Sequence, residues 1–437
     1  LHPYLRRRNG EEPVEYPSKE VESILARTLG VPLFQEQAMK IAIVAAGFSP
    51  AEADELRRSM ATFKAKGKVS YFQEKLISGM IRNGYKEEYA HRVFRQLEGF
   101  GSYGFPESHA VSFALLVYVS SWLKCYYPDV FACALLNSMP MGFYQPAQII
   151  IDAQKHGVTV LPVDINHSEW DNVLKIRQNK YFTLQLGFRQ VKGLKQEEMS
   201  VLINGKGEGY RSVQQLRVLG LSEATLELLA DADAFRSIGQ DRREALWNAS
   251  VKGQVQNLFS GSAHASGKPV DLPKMSLGEH VVQDYATMAL SLKAHPVSFV
   301  REELTRLRAL TAEQLTTARD GDIVKVAGLI LVRQRPGTAS GICFITLEDE
   351  TGTANLVVFQ KLFDQYRKEI IQSRLLMVEG QLQKEGEVIH VIVKRCFNVT
   401  RLLGKLQISD LDVRMSRSDE TTSPFQSNVF PEGRNFR

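Results

Sequence analysis

The sequence predicts a multidomain, mainly α-helical protein with a small β-barrel near its C-terminal end. Three observations support this fold class. Apolar residues recur at helical spacing up to about residue 165, short helical segments broken by glycines occupy about 191–250, and period-two alternation dominates 321–400. The 437 residues suffice for two to four domains, each with a core of its own.

These patterns divide the chain into five parts. They are a helical domain, a helix–hairpin–helix region, a linker with a helical connector, an OB-fold and a polar tail, at residues 1–165, 166–251, 252–320, 321–400 and 401–437. Low periodicity with many small residues marks the linker at 252–275. The tail is polar from Asp410 onward, and we expect it to be disordered.

The bulk composition narrows the class of protein. A formal net charge of +5 permits a nucleic-acid partner without requiring one. The 4 cysteines form no C-x-x-C pair, which disfavours a zinc site and suits a reducing, cytoplasmic compartment. The longest apolar run, about Ala110–Leu123, contains serines and is interpreted as a buried core helix, not a membrane span. Because the chain starts at Leu1 without a signal peptide, we expect a piece of a longer protein.

A basic helix end is the first candidate site. A helix opens at Ser49–Glu52 with a capping signal and runs through Arg57 and Arg58, and Lys64 and Lys66 follow it. Planar guanidinium groups and mobile ammonium groups suit phosphate oxygens, so this cluster could hold a triphosphate or a DNA backbone. The alternative is a solvated basic face.

A glycine-rich loop is the second candidate. Residues 99–105 alternate glycines with aromatic residues that include Tyr103 and Phe105, and the next helix opens at Ser108 and His109. Glycines permit close backbone approach, aromatic rings can stack on a base or sugar, and a helix N-terminus favours an anion. The alternative is a packed loop whose rings are core anchors.

A short hairpin is the third candidate. Lys192 and Gly193 lie in the hydrophobic-Gly-hydrophobic turn Val191–Leu194 between two short helices. Backbone amides in such a turn can bind a DNA phosphate. An ordinary helix–helix turn is the alternative.

The clearest fold signal lies in residues 321–400. Three strands, a helix and two strands follow one another at Ile323–Val332, Ile342–Leu347, Ala354–Phe359, Lys361–Ile371, Leu375–Gly380 and Val388–Val393. This order is typical of an OB-fold that binds single-stranded nucleic acid or oligosaccharide, although another small barrel with a structural role shows the same pattern. The candidate DNA contacts are Arg333, Arg335, Phe344, Phe359, Lys394 and Arg395.

A carboxylate platform for two metal ions is not evident. Polymerisation by two Mg²⁺ ions needs converging carboxylates, commonly an Asp-x-Asp on a strand plus a third acid. The candidates Asp231, Asp233 and Asp349, with Asp410 and Asp412, lie in turns or in the tail. We therefore expect no catalytic or metal-binding residue in this chain.

Several motifs carry a resemblance to a known family. Successive segments resemble the fingers motifs of bacterial C-family DNA polymerases in order and spacing; they lie at 13–17, 30–39, 53–60 and 103–110. Pro106 and Glu107, before the Ser-His pair, resemble the error-prone branch more than the replicative α subunit of DNA polymerase III. Further segments similar to that branch lie at 112–125, 135–144 and 290–296.

This resemblance implies an enzyme that extends primers past lesions without proofreading, using deoxynucleoside triphosphates and Mg²⁺. The palm domain with its metal-binding aspartates would lie upstream of Leu1, so the chain alone would be inactive. In the family pattern Arg57, Arg58, Lys64 and Lys66 face the incoming triphosphate, although the alignment of the two lysines differs from it. His109 matches the position beside the sugar, and Tyr103 and Phe105 match its neighbouring aromatics.

The resemblance also implies DNA contacts and protein partners. The hairpin with Lys192 and Gly193 matches the duplex-gripping helix–hairpin–helix, whereas the second hairpin has Asp233 where relatives usually have glycine. A sliding clamp and an inactive Y-family-like adaptor are the implied partners, and residues 254–259 resemble a clamp-binding peptide. Two alternatives stay open: a fragment of the replicative α subunit, and a non-catalytic DNA-binding protein that reuses these modules.

Overall fold

The computed structural model describes residues 3–60, 69–99, 106–142, 145–177, 180–250, 272–336, 341–386, 388–407, 429–430 and 434–436. The chain forms two compact units, Leu1–Trp122 and Leu123–Arg437. None of the helices in the described ranges has the length and apolar content needed to cross a membrane.

The first unit is helical, as predicted. Its helices are α1 (Pro3–Arg8), α2 (Lys19–Leu25), α3 (Gln35–Ala46), α4 (Pro50–Met60), α5 (Val69–Arg82), α6 (Glu87–Gly99) and most of α7 (Glu107–Tyr126). The predicted capping signal is present at α4, because Ser49 Oγ accepts from the Glu52 amide and Glu52 Oε2 accepts from the Ser49 amide at 3.3 and 2.9 Å. One face each of α2 to α6 encloses a core that includes Val21, Ile41, Leu56, Phe72, Leu76, Met80 and Phe94.

Helix α7 departs from the prediction. The apolar run forms a helix, but the structure buries none of its residues, so the expectation of a buried core helix was wrong. An apolar sequence indicates that a helix tends to pack against other apolar surface. It does not indicate which part of the protein provides that surface.

The second unit begins with helices, a small sheet and the hairpin region. Its helices are α8 (Pro128–Asn137), α9 (Pro146–Lys155), α10 (Gln196–Asn204), α11 (Val213–Val218), α12 (Glu223–Asp231), α13 (Arg242–Ser250), α14 (Leu277–Met288), α15 (Arg301–Arg306) and α16 (Ala312–Thr317). In the sheet, β3 (Phe182–Gln185) lies between β1 (Val160–Leu161), parallel, and β2 (Val173–Arg177), antiparallel. The predicted linker at 252–275 lies almost wholly outside the described residues.

The C-terminal barrel confirms the predicted OB-fold. Its elements are β4 (Ile323–Gln334), β5 (Cys343–Glu348), β6 (Thr353–Val358), the helices α17 (Gln360–Gln365) and α18 (Arg367–Gln372), then β7 (Leu375–Glu385) and β8 (Val388–Asn398). The strands pair in the order β5-β6-β8-β7-β4, and a pairing of β4 with β5 closes the barrel. Apolar residues on the inward face of the strands form the barrel core, and two register shifts, in β4 and in β8, interrupt the alternation.

The described residues beyond Asp410, 429–430 and 434–436, are structured, which corrects the expectation of disorder there. A 3-10 helix at Thr400–Gln407 buries Leu403 and Leu406. Phe430 is fully buried, with its ring centroid 5.3 Å from that of Tyr285, and β9 (Arg434–Phe436) pairs in parallel with β4. The composition of the tail is polar on average, but its single side chain Phe430 is apolar and buried. Burial depends on individual side chains and not on the average composition of a segment. Residues 408–428 and 431–433 lie outside the described part of the chain.

Candidate nucleic-acid interface

The two arginines of α4 share one carboxylate. Arg57 and Arg58 each place a guanidinium nitrogen 2.8 Å from an oxygen of Asp54. Hydrogen bonding from Arg57 lowers the pKa of Asp54, and the charge of Arg58 adds to this effect. The Arg58 side chain is 74% exposed and that of Arg57 is 37% exposed, so Arg58 presents the freer cationic head to a ligand. Lys64 and Lys66 lie outside the described residues.

The start of α7 carries the predicted histidine. His109 is exposed in the first turn, and its ring centroid lies 4.4 Å from that of Phe113. The Glu107 amide donates to Glu36 Oε2 at 2.9 Å, so an internal carboxylate already uses this helix N-terminus. Tyr103 and Phe105 lie outside the described residues. The structure therefore describes one of the three residues predicted around the sugar.

The first hairpin rests on the C-terminal end of α14. The Lys192 amide donates to the Thr287 carbonyl and its Nζ donates to the Ala286 carbonyl, each at 3.0 Å. The Lys192 amide is therefore already hydrogen-bonded within the protein. Of the two residues predicted to bind a phosphate through the backbone, only Gly193 keeps that possibility. Gly193 is exposed and has a φ of 87°, a conformation that only glycine adopts without strain. Its backbone is therefore exposed to solvent.

The second hairpin has a different chemistry. Asp233 also has a positive φ of 61°, but it is 7% exposed and its carboxylate accepts from Arg236 Nε at 2.8 Å. Lys293 Nζ lies 3.2 Å from the other oxygen. Burial by itself raises the pKa of Asp233, and Lys293 together with Arg236 overcomes this and lowers it. The second turn thus contains an ion-paired aspartate side chain at the position where the first turn has a glycine.

The outward face of the barrel joins three strands. Phe344 on β5 lies opposite Val357 on β6, which is in register with Ile392 on β8. Phe344 is 37% exposed and Phe359, just beyond β6, is 50% exposed. In an OB-fold this is the face that binds oligonucleotides.

Two basic residues border this face because of a bulge. Glu379 on β7 pairs with Arg395, and the next residue Gly380 pairs with Val393, so Lys394 is the extra residue. An extra residue disturbs strict alternation, and both Lys394 and Arg395 are exposed. The structure therefore brings the predicted cations beside the predicted aromatic surface.

Arg333 is not available to DNA, which corrects its assignment as a contact. It is 6% exposed, and its guanidinium donates to the carbonyls of Ile370 and Ser373 at 2.9 and 2.7 Å. The physical reason is a register shift between Ile330 and Val332, which reverses the inward and outward alternation that the sequence suggested. Its neighbour Arg335 is half-buried and stacks over the ring of Phe363 at 4.6 Å.

The candidate acids that the structure describes are held by donors of the protein itself. Within the described residues, no group of three or more His, Cys, Asp or Glu side chains converges to hold a metal ion. Asp349 accepts from Arg301 and from the Ala312 amide at 2.9 and 2.8 Å, and Asp233 is bound to cations. Asp410 and Asp412 lie outside the described residues. Carboxylates saturated by protein donors are poor ligands for Mg²⁺.

Comparisons with known proteins agree with this arrangement. Residues 1–84 match a family model described as the bacterial DNA polymerase III alpha subunit finger domain, 157–245 match a helix–hairpin–helix motif, and 324–399 match an OB-fold nucleic acid binding domain. The error-prone DNA polymerase of Sinorhizobium medicae is 53% identical over 93% of this chain, and that of Brucella melitensis is 45% identical over 100%. The chain belongs to the error-prone C-family DNA polymerases of bacteria.

The chain spans about two fifths of the length of these polymerases, 39% and 42% of the two relatives. Among solved structures, asparaginyl-tRNA synthetase from Pyrococcus horikoshii is 20% identical over 21% of this chain and 23% of its own, with a TM-score of 0.19.

Sequence reasoning missed a buried charge cluster between the hairpin region and α14. Arg242 and Asp284 are 2% and 1% exposed and form an ion pair, and Lys293 Nζ lies 3.0 Å from Asp284. Arg242 also donates to the His280 carbonyl at 2.9 Å, and burial together with the Arg242 charge lowers the pKa of His280. The resemblance at 290–296 included Lys293, but no local pattern connects residues 42 positions apart.

Proposed function

We propose that this chain supplies the nucleotide-binding and DNA-binding parts of an error-prone DNA-directed DNA polymerase that acts in DNA-damage-induced mutagenesis and translesion synthesis. One observation carries the proposal. A helix that bears two arginines, a hairpin and an OB-fold barrel follow one another in this chain, which is 45–53% identical to proteins named error-prone DNA polymerase. Each module presents the chemistry that its part of the task requires.

In this proposal the basic residues in the last turn of α4 and just after it bind the incoming nucleotide. Arg58 contacts the triphosphate, Arg57 is braced by Asp54, and His109 lies against the sugar. Lys64, Lys66, Tyr103 and Phe105 belong to the same site. Mg²⁺ would be held by palm carboxylates outside these 437 residues and, when bound, would neutralise charge on the transferred phosphates. The chain alone is therefore expected to be inactive.

The DNA contacts in this proposal come from two modules. The Gly193 turn approaches a phosphate of the primer–template duplex, and Lys192 adds a positive charge beside it. The barrel face around Phe344 stacks on unpaired template bases, while Lys394 and Arg395 attract the backbone. A sliding clamp bound at 254–259 and a Y-family-like adaptor would recruit the enzyme.

Single-nucleotide insertion by the full-length polymerase tests the nucleotide site. Arg58→Ala should raise the KM for the deoxynucleotide about ten- to a hundredfold, since a charge-assisted hydrogen bond contributes about 1.5–3 kcal/mol. Primer–template affinity should change much less. Arg82→Ala, at an exposed arginine of α5, is the matched control. An unchanged KM for Arg58→Ala, or primer extension by the 437-residue chain alone, would contradict the proposal.

Binding of single-stranded DNA to the 437-residue chain tests the barrel face. Phe344→Ala should weaken binding by about 1–3 kcal/mol if a base stacks on this ring. Lys394→Ala should reduce the salt dependence of binding, because each phosphate contact releases about one counterion. Ile323→Ala, at an apolar side chain 57% exposed on β4, is the control for lost surface. Equal binding by all three variants would assign the barrel a structural role.

A further inference from the structure

The antiparallel strands β2 and β3 belong to a segment with unbalanced positive charge. Residues 172–196 include no Asp or Glu and contain six cations: Lys175, Arg177, Lys180, Arg189, Lys192 and Lys195. The first three lie on β2 or just before β3, and all three are exposed. Within the described part of the chain, none of these three side chains forms an ion pair with a carboxylate. We call residues 173–177 and 180–185 the basic ribbon.

A bulge in β2 explains why successive residues of this strand are exposed. Between two paired positions, β2 has the two residues Lys175 and Ile176 where β3 has only Thr183. An extra residue of this kind increases the local twist and redirects side chains. Ile176 is 80% exposed, and its neighbours Lys175 and Arg177 are exposed as well. The bulge therefore presents two cations and an apolar side chain together to solvent.

The basic ribbon is held in one conformation by its own contacts. Arg177 Nε and Nη2 donate to the Lys180 carbonyl at 3.0 and 2.8 Å, which joins the two strands near their turn. The Phe182 amide donates to Asp129 Oδ2 of α8 at 2.7 Å, which fixes β3 to the neighbouring helix. Because the ribbon is preorganised, a ligand of its cations does not have to order the backbone that carries them.

The aromatic rings of the basic ribbon already lie against its cations. The Arg177 guanidinium carbon lies 5.9 Å from the centre of the Phe182 ring, and Lys180 Nζ lies 5.1 Å from that of the Tyr181 ring. Each ring thus has a cation over it rather than a free face on which an unpaired base could stack. This arrangement favours contact with phosphates over contact with bases.

The basic ribbon leads directly into the first hairpin. Only the seven residues 186–192 separate the end of β3 from Gly193. Lys192 and Lys195, on either side of Gly193, are exposed cations too. The Phe188 amide donates to the Glu169 carbonyl at 2.9 Å, so the connection between the ribbon and the hairpin is also fixed. The ribbon and the turn proposed to approach a phosphate are therefore parts of one structured segment without acids.

We propose that the basic ribbon binds the phosphate backbone of the DNA duplex that the Gly193 turn contacts. This inference rests on the proposed function and adds a third DNA contact, from a β-ribbon, to those of the first hairpin and the barrel. Cations that neutralise phosphates release counterions, which gives affinity without sequence preference. Cations on an edge strand can also serve to prevent pairing with a second molecule. Lys180 does not lie on the edge strand β2, and that role does not require it.

The salt dependence of duplex binding by the 437-residue chain tests this proposal. One variant combines Lys175→Gln, Arg177→Gln and Lys180→Gln. The slope of log K against log salt concentration should become shallower by about 2–3, since each phosphate contact with duplex DNA contributes about 0.9 to it. Binding of a single-stranded oligonucleotide, for which the barrel is the proposed site, should change much less.

The matched control combines Lys155→Gln, Arg211→Gln and Arg319→Gln. These three cations are exposed and lie outside residues 172–196, so the control removes the same net charge. Its slope should change by less than about one contact.

A second variant separates the lost charge from a distorted ribbon. Lys175→Gln with Lys180→Gln keeps the hydrogen bonds of the Arg177 side chain, and it should still make the slope shallower by about 1.5–2. Lys175→Arg with Lys180→Arg keeps the charge and should bind duplex DNA as the unaltered chain does.

Three results would overturn the proposal. They are equal slopes for the triple variant and its control, self-association of the triple variant with unchanged duplex affinity, and an equal loss of binding to single-stranded DNA. Any of them leaves the proposed function standing. Failure of the unaltered chain to bind duplex DNA would instead contradict the proposed function together with this inference.

Discussion

The two hairpins of this chain use the same backbone conformation for different purposes. Each places one residue at positive φ between two helical segments, Gly193 at 87° and Asp233 at 61°. In the first turn the residue at positive φ is exposed and, being glycine, has no side chain. The second is buried, and its carboxylate binds Arg236 and Lys293.

This difference shows how a repeated motif can divide its tasks. A bare, exposed turn lets a phosphate approach the backbone, whereas a carboxylate in a turn repels a phosphate and attracts internal cations. Asp233 and Asp284 both contact Lys293, and Asp284 pairs with Arg242 of α13. The second hairpin therefore fastens the region to α14, and α14 in turn supports the first hairpin through Lys192. We expect the first hairpin to bind DNA and the second to provide stability.

The largest effect should come from removing the buried arginine. Arg242→Ala leaves Asp284 without its buried partner, and breaking such a pair costs about 3–5 kcal/mol of stability. Hydrogen exchange of α12 and α13 should accelerate accordingly. Arg211→Ala, at an exposed arginine of the same region, should change neither the stability nor the hydrogen exchange of these helices. A double change, Arg242→Met with Asp284→Leu, should recover part of the loss. Unaltered exchange in Arg242→Ala would show that this cluster does not hold the second hairpin.

A smaller effect, on DNA binding, should follow from Gly193→Ala. The new Cβ would lie 3.3 Å from Leu228 in a left-handed backbone, which costs about 1–2 kcal/mol for a residue with a side chain. This strain lowers folding stability, and duplex affinity at constant salt should fall as well, because the turn must shift to accommodate the added Cβ. Gly239→Ala is the matched control, because its φ of 77° imposes similar strain with no atom within 4 Å of the added Cβ. Equal losses for both variants would indicate general strain rather than a phosphate contact.

An effect of similar size, on folding stability and dependent on pH, should come from Asp233→Asn. Asparagine tolerates positive φ, so this change removes charge with little backbone cost, and we expect a loss of about 1–2 kcal/mol. Because the folded-state pKa of Asp233 is lowered, its contribution to stability is present above the ordinary carboxyl pKa of about 3.9 and is lost as the pH falls below it. The stability difference between wild type and variant should be full at pH 6 and shrink toward pH 3. A difference that persists undiminished at pH 3 would exclude the ion pairs as its cause.

Much of the architecture could be predicted because it depends on local chemistry. Period-two alternation with a helix after the third strand predicted the OB-fold, and the Ser49 and Glu52 pair predicted the start of α4. The exposure of the candidate DNA-binding residues was harder to predict. Phe344 and Lys394 are exposed as expected, but one register shift in β4 turned Arg333 inward, and no sequence pattern marks such a bulge.

The sequence by itself determined the order of the modules and the class of each fold, because helix caps and strand alternation act over a few residues. The resemblance of its motifs to known fingers motifs pointed to the polymerase family. Tertiary structure alone decided which polar groups meet. The Arg242–Asp284 pair joins residues far apart in the chain, and Phe430 is buried within a polar tail. It also decided that the apolar run Ala110–Leu123 forms a helix in which no residue is buried within the described part of the chain. Burial and ion pairing depend on which surfaces come together, and that is a property of the folded chain as a whole.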